Sequence, residues 1–251
     1  MNQAVNQAAN PQDNPAEQVV IALDCPREEA MSLAQQLKGA AHWLKVGMTL
    51  YYAAGPSIVS ELKEMGYRVF IDLKLHDIPH QVKGAAASVV KAGADMLTVH
   101  GCGGAAMLKA AAEGAEQGTA ERAEQGHKPL LLAITVLTSM DELTLKQVGV
   151  SRELEVQVES LALLATEAGL DGVVASPQEA QSLRTLLGDE AVIVTPGIRP
   201  SGAAIDDQSR IATPAQALQN GASHLVIGRP ITAAQDPKAA FLAILDEIRR
   251  A

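Results

Sequence analysis

The sequence predicts a single-domain (β/α)8 barrel, and three observations predict it. Eight short apolar runs alternate with eight helix-period stretches along one chain of 251 residues, with no boundary between them. The runs are continuously apolar rather than alternating, so each strand is covered on both faces. Polar residues gather where the runs end, and in a barrel that end carries the chemistry. A doubly wound open sheet is the alternative, but no Gly-x-Gly-x-x-Gly follows the first run.

Taken in order, the polar, Asn- and Gln-containing stretch 1–17 reads as a disordered tail, and the barrel occupies 18–251. The first strand runs from Gln18 to Asp24, and Pro26 starts a helix over Arg27 to Leu37. His42 to Gly47 is the second strand, with a helix from Leu50 to Met65. Val69 to Leu75 is the third, followed by a helix from His80 to Ala92. Ala94 to Gly101 is the fourth, with a helix from Gly104 to Gly114 and a polar connection to Lys128. Leu130 to Val136 is the fifth. A turn at Leu137 to Ser139 leads to a small helix over Asp141 to Gln147 and a longer one over Glu153 to Ala168. Gly172 to Ala175 is the sixth, and Pro177 opens its helix to Leu187. Ala191 to Thr195 is the seventh, with a long loop from Pro196 to Arg210. Ser223 to Ile227 is the eighth, and a helix over Lys238 to Arg250 closes the chain.

Composition narrows the function. A formal charge of −9 with 2% aromatic residues offers neither a basic surface for phosphate backbones nor a stacking platform, so no nucleic-acid partner is expected. No run approaches the roughly twenty apolar residues of a membrane span, and the amino end has no secretory pattern. Cys25 and Cys102 lie far apart, outside any Cys-x-x-Cys spacing, so both read as reduced thiols of a cytoplasmic protein. The composition offers no metal cluster, so no metal site is expected.

The third strand holds the densest chemistry, Asp72-Leu-Lys74-Leu-His-Asp77-Ile78-Pro79. Residues two apart on a strand share a face, so Asp72 and Lys74 meet at the strand's carboxyl end while Asp77 lies beyond it on a loop. Such paired, desolvated charges concentrate at functional sites. Asp24, Lys45, His100 and Thr138 fall at or near other strand ends. Taken singly, each has a bland reading as a cap, a core residue or a turn former; their convergence favours a site. The seventh and eighth loops of a barrel commonly hold phosphate. Here they carry Thr195-Pro-Gly-Ile-Arg199-Pro and Ile227-Gly228-Arg229-Pro, with Gln208 as a neutral donor. An acidic protein with a local cationic pocket suits a phosphorylated small metabolite.

From Val19 onward, and through those three motifs, the chain resembles the orotidine 5′-monophosphate decarboxylases. The resemblance implies a cofactor-independent decarboxylation of orotidine 5′-monophosphate to UMP, with a nucleoside monophosphate as the small-molecule ligand. It implies Lys74 as proton donor, Asp72 facing the scissile carboxylate, Lys45 completing the charge network and Asp77 reaching a partner's site in a homodimer. It places Asp24 and Lys45 at the ribose, Thr138 at the pyrimidine, and Arg199, Gln208, Gly228 and Arg229 at the phosphate, with Ile78 and Pro79 in the binding loop. Gln81 stands where the family commonly has Thr. Two rivals remain. Metal-dependent barrels acting on keto-sugar phosphates share the Asp-x-Lys-x-x-Asp strand but need a further acid where this chain has Lys45. A catalytically silent nucleotide sensor would bind without turnover.

Overall fold

The computed structural model describes residues 14–122, 127–200 and 211–251. Eight parallel strands close into a barrel in sequence order. They are β1 Val19–Ala22, β2 Trp43–Gly47, β3 Arg68–Leu75, β4 Met96–His100, β5 Leu130–Ile134, β6 Gly172–Val174, β7 Val192–Thr195 and β8 His224–Ile227. Around them, among the described residues, lie α1 Pro15–Gln18, α2 Arg27–Leu37, α3 Met48–Ala54, α4 Ser57–Glu64, α5 Pro79–Lys91 and α6 Gly104–Ala120. The second half adds α7 Glu142–Gln147, α8 Leu154–Glu167, α9 Ala180–Leu187, α10 Pro214–Gln219, α11 Arg229–Thr232 and α12 Pro237–Arg249. The fold is the (β/α)8 barrel that the sequence predicts.

Strand register decides what each side chain meets. Val20 pairs with Trp43, Ala22 with Lys45, Lys45 with Phe70, Gly47 with Asp72, and Phe70 with Met96. One phase of these strands fills the interior: Val20, Ala22, Trp43, Phe70, Met96, Leu132, Val194 and Val226 form one packed cluster. The other phase, including Ile21, Leu44, Ile71, Leu97 and Val99, packs outward against the helices. Burying each such aliphatic side chain contributes roughly 1.5–3 kcal/mol, which is why the runs are apolar on both faces. Lys45, Asp72 and Thr98 continue the inward phase two residues beyond Trp43, Phe70 and Met96. They form the next layer, at the carboxyl end.

The opposite mouth is closed by rings. Trp43 is 3% exposed, with the Arg68 guanidinium 5.5 Å from its ring centroid and His224 edge-on at 5.7 Å. Burial pushes the His224 imidazole down to about 4, against the pull of Glu17 and with the help of Arg68, so the ring is neutral at pH 7. Residues 14–17, assigned from the sequence to the tail, belong to this mouth. The Asn14 side chain caps α1 by accepting from Ala16 N–H. Glu17 meets His42 at 2.5 Å and Arg68 at 3.3 Å.

Two helices differ from expectation. The stretch 50–65 is split into α3 and α4 because Gly55 takes φ +72° and Pro56 follows it. In contrast, α6 runs on to Ala120 past Gly114, where the sequence reading ended it, and through Gly118. A Cβ at Gly114 would stand 2.2 Å from the Lys83 carbonyl oxygen, and one at Gly118 would stand 2.5 Å from that of Ala87. These glycines let α6 lie directly on the α5 backbone, so they serve packing rather than chain reversal.

Candidate active site

Above the Trp43, Phe70 and Met96 layer, the carboxyl end of the barrel opens into a cavity of about 620 Å³. Its floor and one wall are apolar, from Ala22, Phe70, Ile134, Val136, Val174 and Val226. Its polar lining comes from Asp24 after β1, Lys45 on β2, Asp72 and Lys74 on β3, Thr138 after β5, Arg199 after β7, and Gly228 with Arg229 after β8. Six separate strand ends thus converge on one space.

Four of these groups form a chain of alternating charge. Lys45 Nζ donates to Asp24 Oδ1 at 2.9 Å and lies 3.4 Å from Asp72 Oδ2. Lys74 Nζ donates to Asp72 Oδ1 at 2.8 Å. Solvent reaches 8% of the Lys45 side chain, 13% of Asp72 and 26% of Lys74. Burial alone would neutralise Asp72, but Lys45 and Lys74, with a hydrogen bond from Thr98, overcome it and hold the carboxyl below the ordinary carboxylate range. Burial likewise penalises the Lys45 ammonium, and Asp72 and Asp24 more than offset it, so its pKa is raised. Both groups are therefore charged at neutral pH. Gly47 makes room for them: a Cβ there would stand 2.7 Å from Asp24 Oδ1 and 3.1 Å from Lys45 Nζ.

Strand alternation alone does not bring Asp72 and Lys74 together. The β3–β4 register passes from Ile71 opposite Leu97 to Leu75 opposite Val99, so three residues of β3 face Thr98 alone. In this bulge Lys74 takes φ +52°, the one positive φ at a non-glycine residue among those described. Strain of this kind, on the order of 1–3 kcal/mol, persists only where surroundings impose it and clusters at functional sites. Thr98, which the sequence reading passed over, is fully buried and supplies part of that imposition. Its hydroxyl donates to Asp72 Oδ1 at 3.0 Å and accepts the Lys74 N–H at 3.0 Å. The available signal was a threonine inside an apolar strand, two residues before His100.

The model of the orotidine 5′-phosphate decarboxylase / HUMPS family matches residues 17–244. The chain belongs to this family. It is 53% identical to the orotidine 5′-phosphate decarboxylase of Moorella thermoacetica over 234 residues, covering 92% of each chain. It is 52% identical to that of Nitrosococcus oceani, covering 92% of this chain and 97% of the relative. Among solved structures, the orotidine 5′-phosphate decarboxylase of Lactobacillus acidophilus superposes with a TM-score of 0.82 at 39% identity. That match covers 92% of this chain and 98% of the other.

Within this family barrel the remaining expected residues fall into two groups. Arg199, 8% exposed, lies in the cavity wall and donates from Nη1 to the Ile198 carbonyl at 3.0 Å. Gly228 caps the short α11, and Arg229 opens it. Gln208 lies outside the described residues. Asp77, Ile78, Pro79 and Gln81 are exposed on the β3–α5 connection and the first turn of α5, and none lines the cavity of its own chain. Asp77 Oδ1 accepts the Ile78 N–H at 2.6 Å. Cys25 and Glu29, neither of them read from the sequence as a site residue, also line the cavity. Burial, with Glu29 and Asp24, pushes the Cys25 thiol up to about 11, so it is a neutral thiol there. Among the described residues no group of three His, Cys, Asp or Glu side chains is placed to hold a metal ion, and no helix is long and apolar enough to cross a membrane.

Proposed function

We propose that this chain decarboxylates orotidine 5′-monophosphate to UMP and CO2, the last step of de novo UMP synthesis, without a cofactor. The observation that carries the reading is the buried Lys45, Asp72, Lys74 array at the base of a cavity whose far wall holds Arg199 and Arg229. A cavity of about 620 Å³ falls within the usual range for small-ligand sites. The two arginines and the Gly228 backbone grip the phosphate, each charge-assisted hydrogen bond contributing roughly 1.5–3 kcal/mol. Asp24 and Lys45 face the ribose, and Thr138 faces the pyrimidine. Gln208 adds a phosphate donor in this reading, and the connection bearing Ile78, Pro79 and Gln81, outside its own cavity, borders the ribose bound in the other subunit of a homodimer.

The pyrimidine is thereby set with its carboxylate toward Asp72 and C6 toward Lys74. The C6–carboxylate bond breaks with its electron pair left on C6, and CO2 departs. The Lys74 ammonium stabilises that carbanion and then gives it a proton, forming UMP; the amine regains its proton from solvent. Asp72 holds Lys74 in place and repels the carboxylate in the ground state. Two like charges about 4 Å apart interact by about 4 kcal/mol at an effective dielectric of 20, roughly three decades of rate. The remainder comes from binding the carbanion-like transition state more tightly than the substrate.

The rival within this fold is a metal-dependent barrel acting on a keto-sugar phosphate. It is disfavoured by the charge at the site: the Lys45 ammonium 3.4 Å from Asp72 occupies and repels the place where a cation would sit. Offering the protein such a sugar phosphate with Mg²⁺, and orotidine 5′-monophosphate with a chelator, separates the two. Turnover of the nucleotide alone is expected; turnover of the sugar phosphate alone would replace this reading.

The reading includes a homodimer, in the cytoplasm, with Asp77 completing the partner's site. Its support is that Asp77 is exposed and outside its own cavity, beside Ile78 at 62% exposure. Lys74→Ala and Asp77→Ala chains, each nearly inactive alone, should complement when unfolded and refolded together. Half the dimers are then mixed, and each holds one intact site, so about a quarter of wild-type activity returns if subunits associate at random. No recovery in a mixture shown to contain mixed dimers would place Asp77 outside the shared site.

A further inference from the structure

We infer that Thr98 is a positioning residue for Lys74, its hydroxyl holding the bulge of β3 in the shape that aims the ammonium at the reacting carbon. The inference deepens the proposed decarboxylase reading and rests on it for its kinetic consequences.

Three observations converge on this residue. Thr98 is the single β4 residue opposite Asp72, Leu73 and Lys74. Ordinary ladder pairing lapses there, and the Lys74 N–H donates to the Thr98 hydroxyl rather than to a β4 carbonyl. The same hydroxyl donates its own hydrogen to Asp72 Oδ1, the oxygen that also receives Lys74 Nζ. One buried oxygen therefore ties down the backbone of Lys74 and the carboxylate that holds its side chain. Lys74 meanwhile sits at φ +52°, a conformation its own side chain disfavours. Without that tie, the bulge has a lower-strain alternative and the ammonium moves with it. A misplacement of about 1 Å near the reacting atoms can cost about a hundredfold in rate.

Valine matches threonine in shape but supplies neither bond, while serine keeps the hydroxyl and drops the methyl. Thr98→Val is expected to lower kcat for orotidine 5′-monophosphate roughly a hundredfold, with KM and UMP affinity within about threefold of wild type, because the phosphate and ribose contacts are untouched. Thr98→Ser is expected to restore kcat to within about fivefold of wild type. The acid limb of kcat should move to higher pH in Thr98→Val, since Asp72 loses a bond that favours its carboxylate. Hydrogen exchange at the Lys74 amide, measured without substrate, should quicken at least about tenfold in Thr98→Val and not in Thr98→Ser. If the valine variant does not fold, Thr98→Ala removes the same hydroxyl without bulk and carries the same expectations.

A valine variant with kcat within threefold of wild type, or a serine variant as slow as valine, would overturn the inference. Unchanged amide exchange would overturn it as well, whatever the substrate proves to be. A wild-type protein inactive on the nucleotide would instead remove the decarboxylase reading and leave the exchange result to decide the role of Thr98.

Discussion

Replacing Lys74 by alanine is expected to lower kcat/KM for orotidine 5′-monophosphate by at least about five decades while leaving UMP binding within about tenfold. Two losses combine. In the proposed mechanism the ammonium held 2.8 Å from Asp72 Oδ1 stabilises the carbanion electrostatically, and a charge about 4 Å away is worth about 4 kcal/mol at an effective dielectric of 20, or three decades. In that mechanism it also delivers the proton, and a positioned general acid contributes typically about 10²–10⁴-fold. In the proposed reading the phosphate is held by Arg199, Gly228 and Arg229, at strand ends remote in sequence from Lys74, so product affinity is expected to survive. The variant keeps Asp72 paired with Lys45, so the fold is not put at risk. Steady-state kinetics beside UMP titration checks both halves. Activity within tenfold of wild type would end the proposed role of Lys74.

Asp72→Asn is expected to damage stability as well as rate. The carboxylate lies between two lysines, 3.4 Å from Lys45 Nζ and 2.8 Å from Lys74 Nζ, and is largely shielded from solvent. Removing one partner of a buried ion pair typically costs about 3–5 kcal/mol, because the other charge is left uncompensated. For a chain of this size that lowers Tm by about 10 °C, and Asp24, which still accepts from Lys45, keeps the loss from being larger. The pH dependence follows from the direction of each shift. Asp72 has a depressed pKa, so its stabilising contribution is present above the ordinary carboxylate value of 3.8 and is lost only as pH falls through the lower folded value. Lys45 has a raised pKa, so its contribution is present below 10.5 and is lost as pH rises through the folded value. Asp72→Asn should therefore shift alkaline unfolding to lower pH and narrow the gap to wild type only in strong acid. Turnover should fall about a thousandfold or more, from lost repulsion of the substrate carboxylate and a released Lys74. Chemical denaturation across pH tests the stability arm; a variant as stable as wild type at pH 7 would mean that the lysines shed their charge instead.

The barrel was legible because its strands must be apolar on both faces, and few other folds demand eight such runs in one chain. The strand-end acids and lysines were legible because nothing in a covered strand explains Lys45 or Asp72 except a partner inside. What the residues around Lys74 concealed was backbone shape. A bulge without glycine or proline leaves no mark in the sequence, so the two-residue spacing of Asp72 and Lys74 suggested plain alternation where the chain is strained. Thr98 was hidden for a related reason: a threonine in a strand is unremarkable until the partner strand slips opposite it. The helix was read as ending at Gly114 because the use of Gly114 and Gly118 depends on how closely α5 approaches, which is a tertiary fact. Asn14 to Glu17 carry too few apolar residues to announce a helix, and it is the burial of Ala16 in the core together with the ion pairs of Glu17 that ties them to the barrel. Asp77 stands apart from its own cavity, so nothing around it within the chain marks the role proposed for it.

The most direct test of the account is to incubate the purified protein with orotidine 5′-monophosphate in excess EDTA and quantify UMP and CO2 together. Prompt release of the two in equal amounts, undiminished by the chelator, is the expected result. No conversion, or conversion that stops with EDTA and returns with Mg²⁺, would contradict a decarboxylase that relies on Lys74 and Asp72 alone.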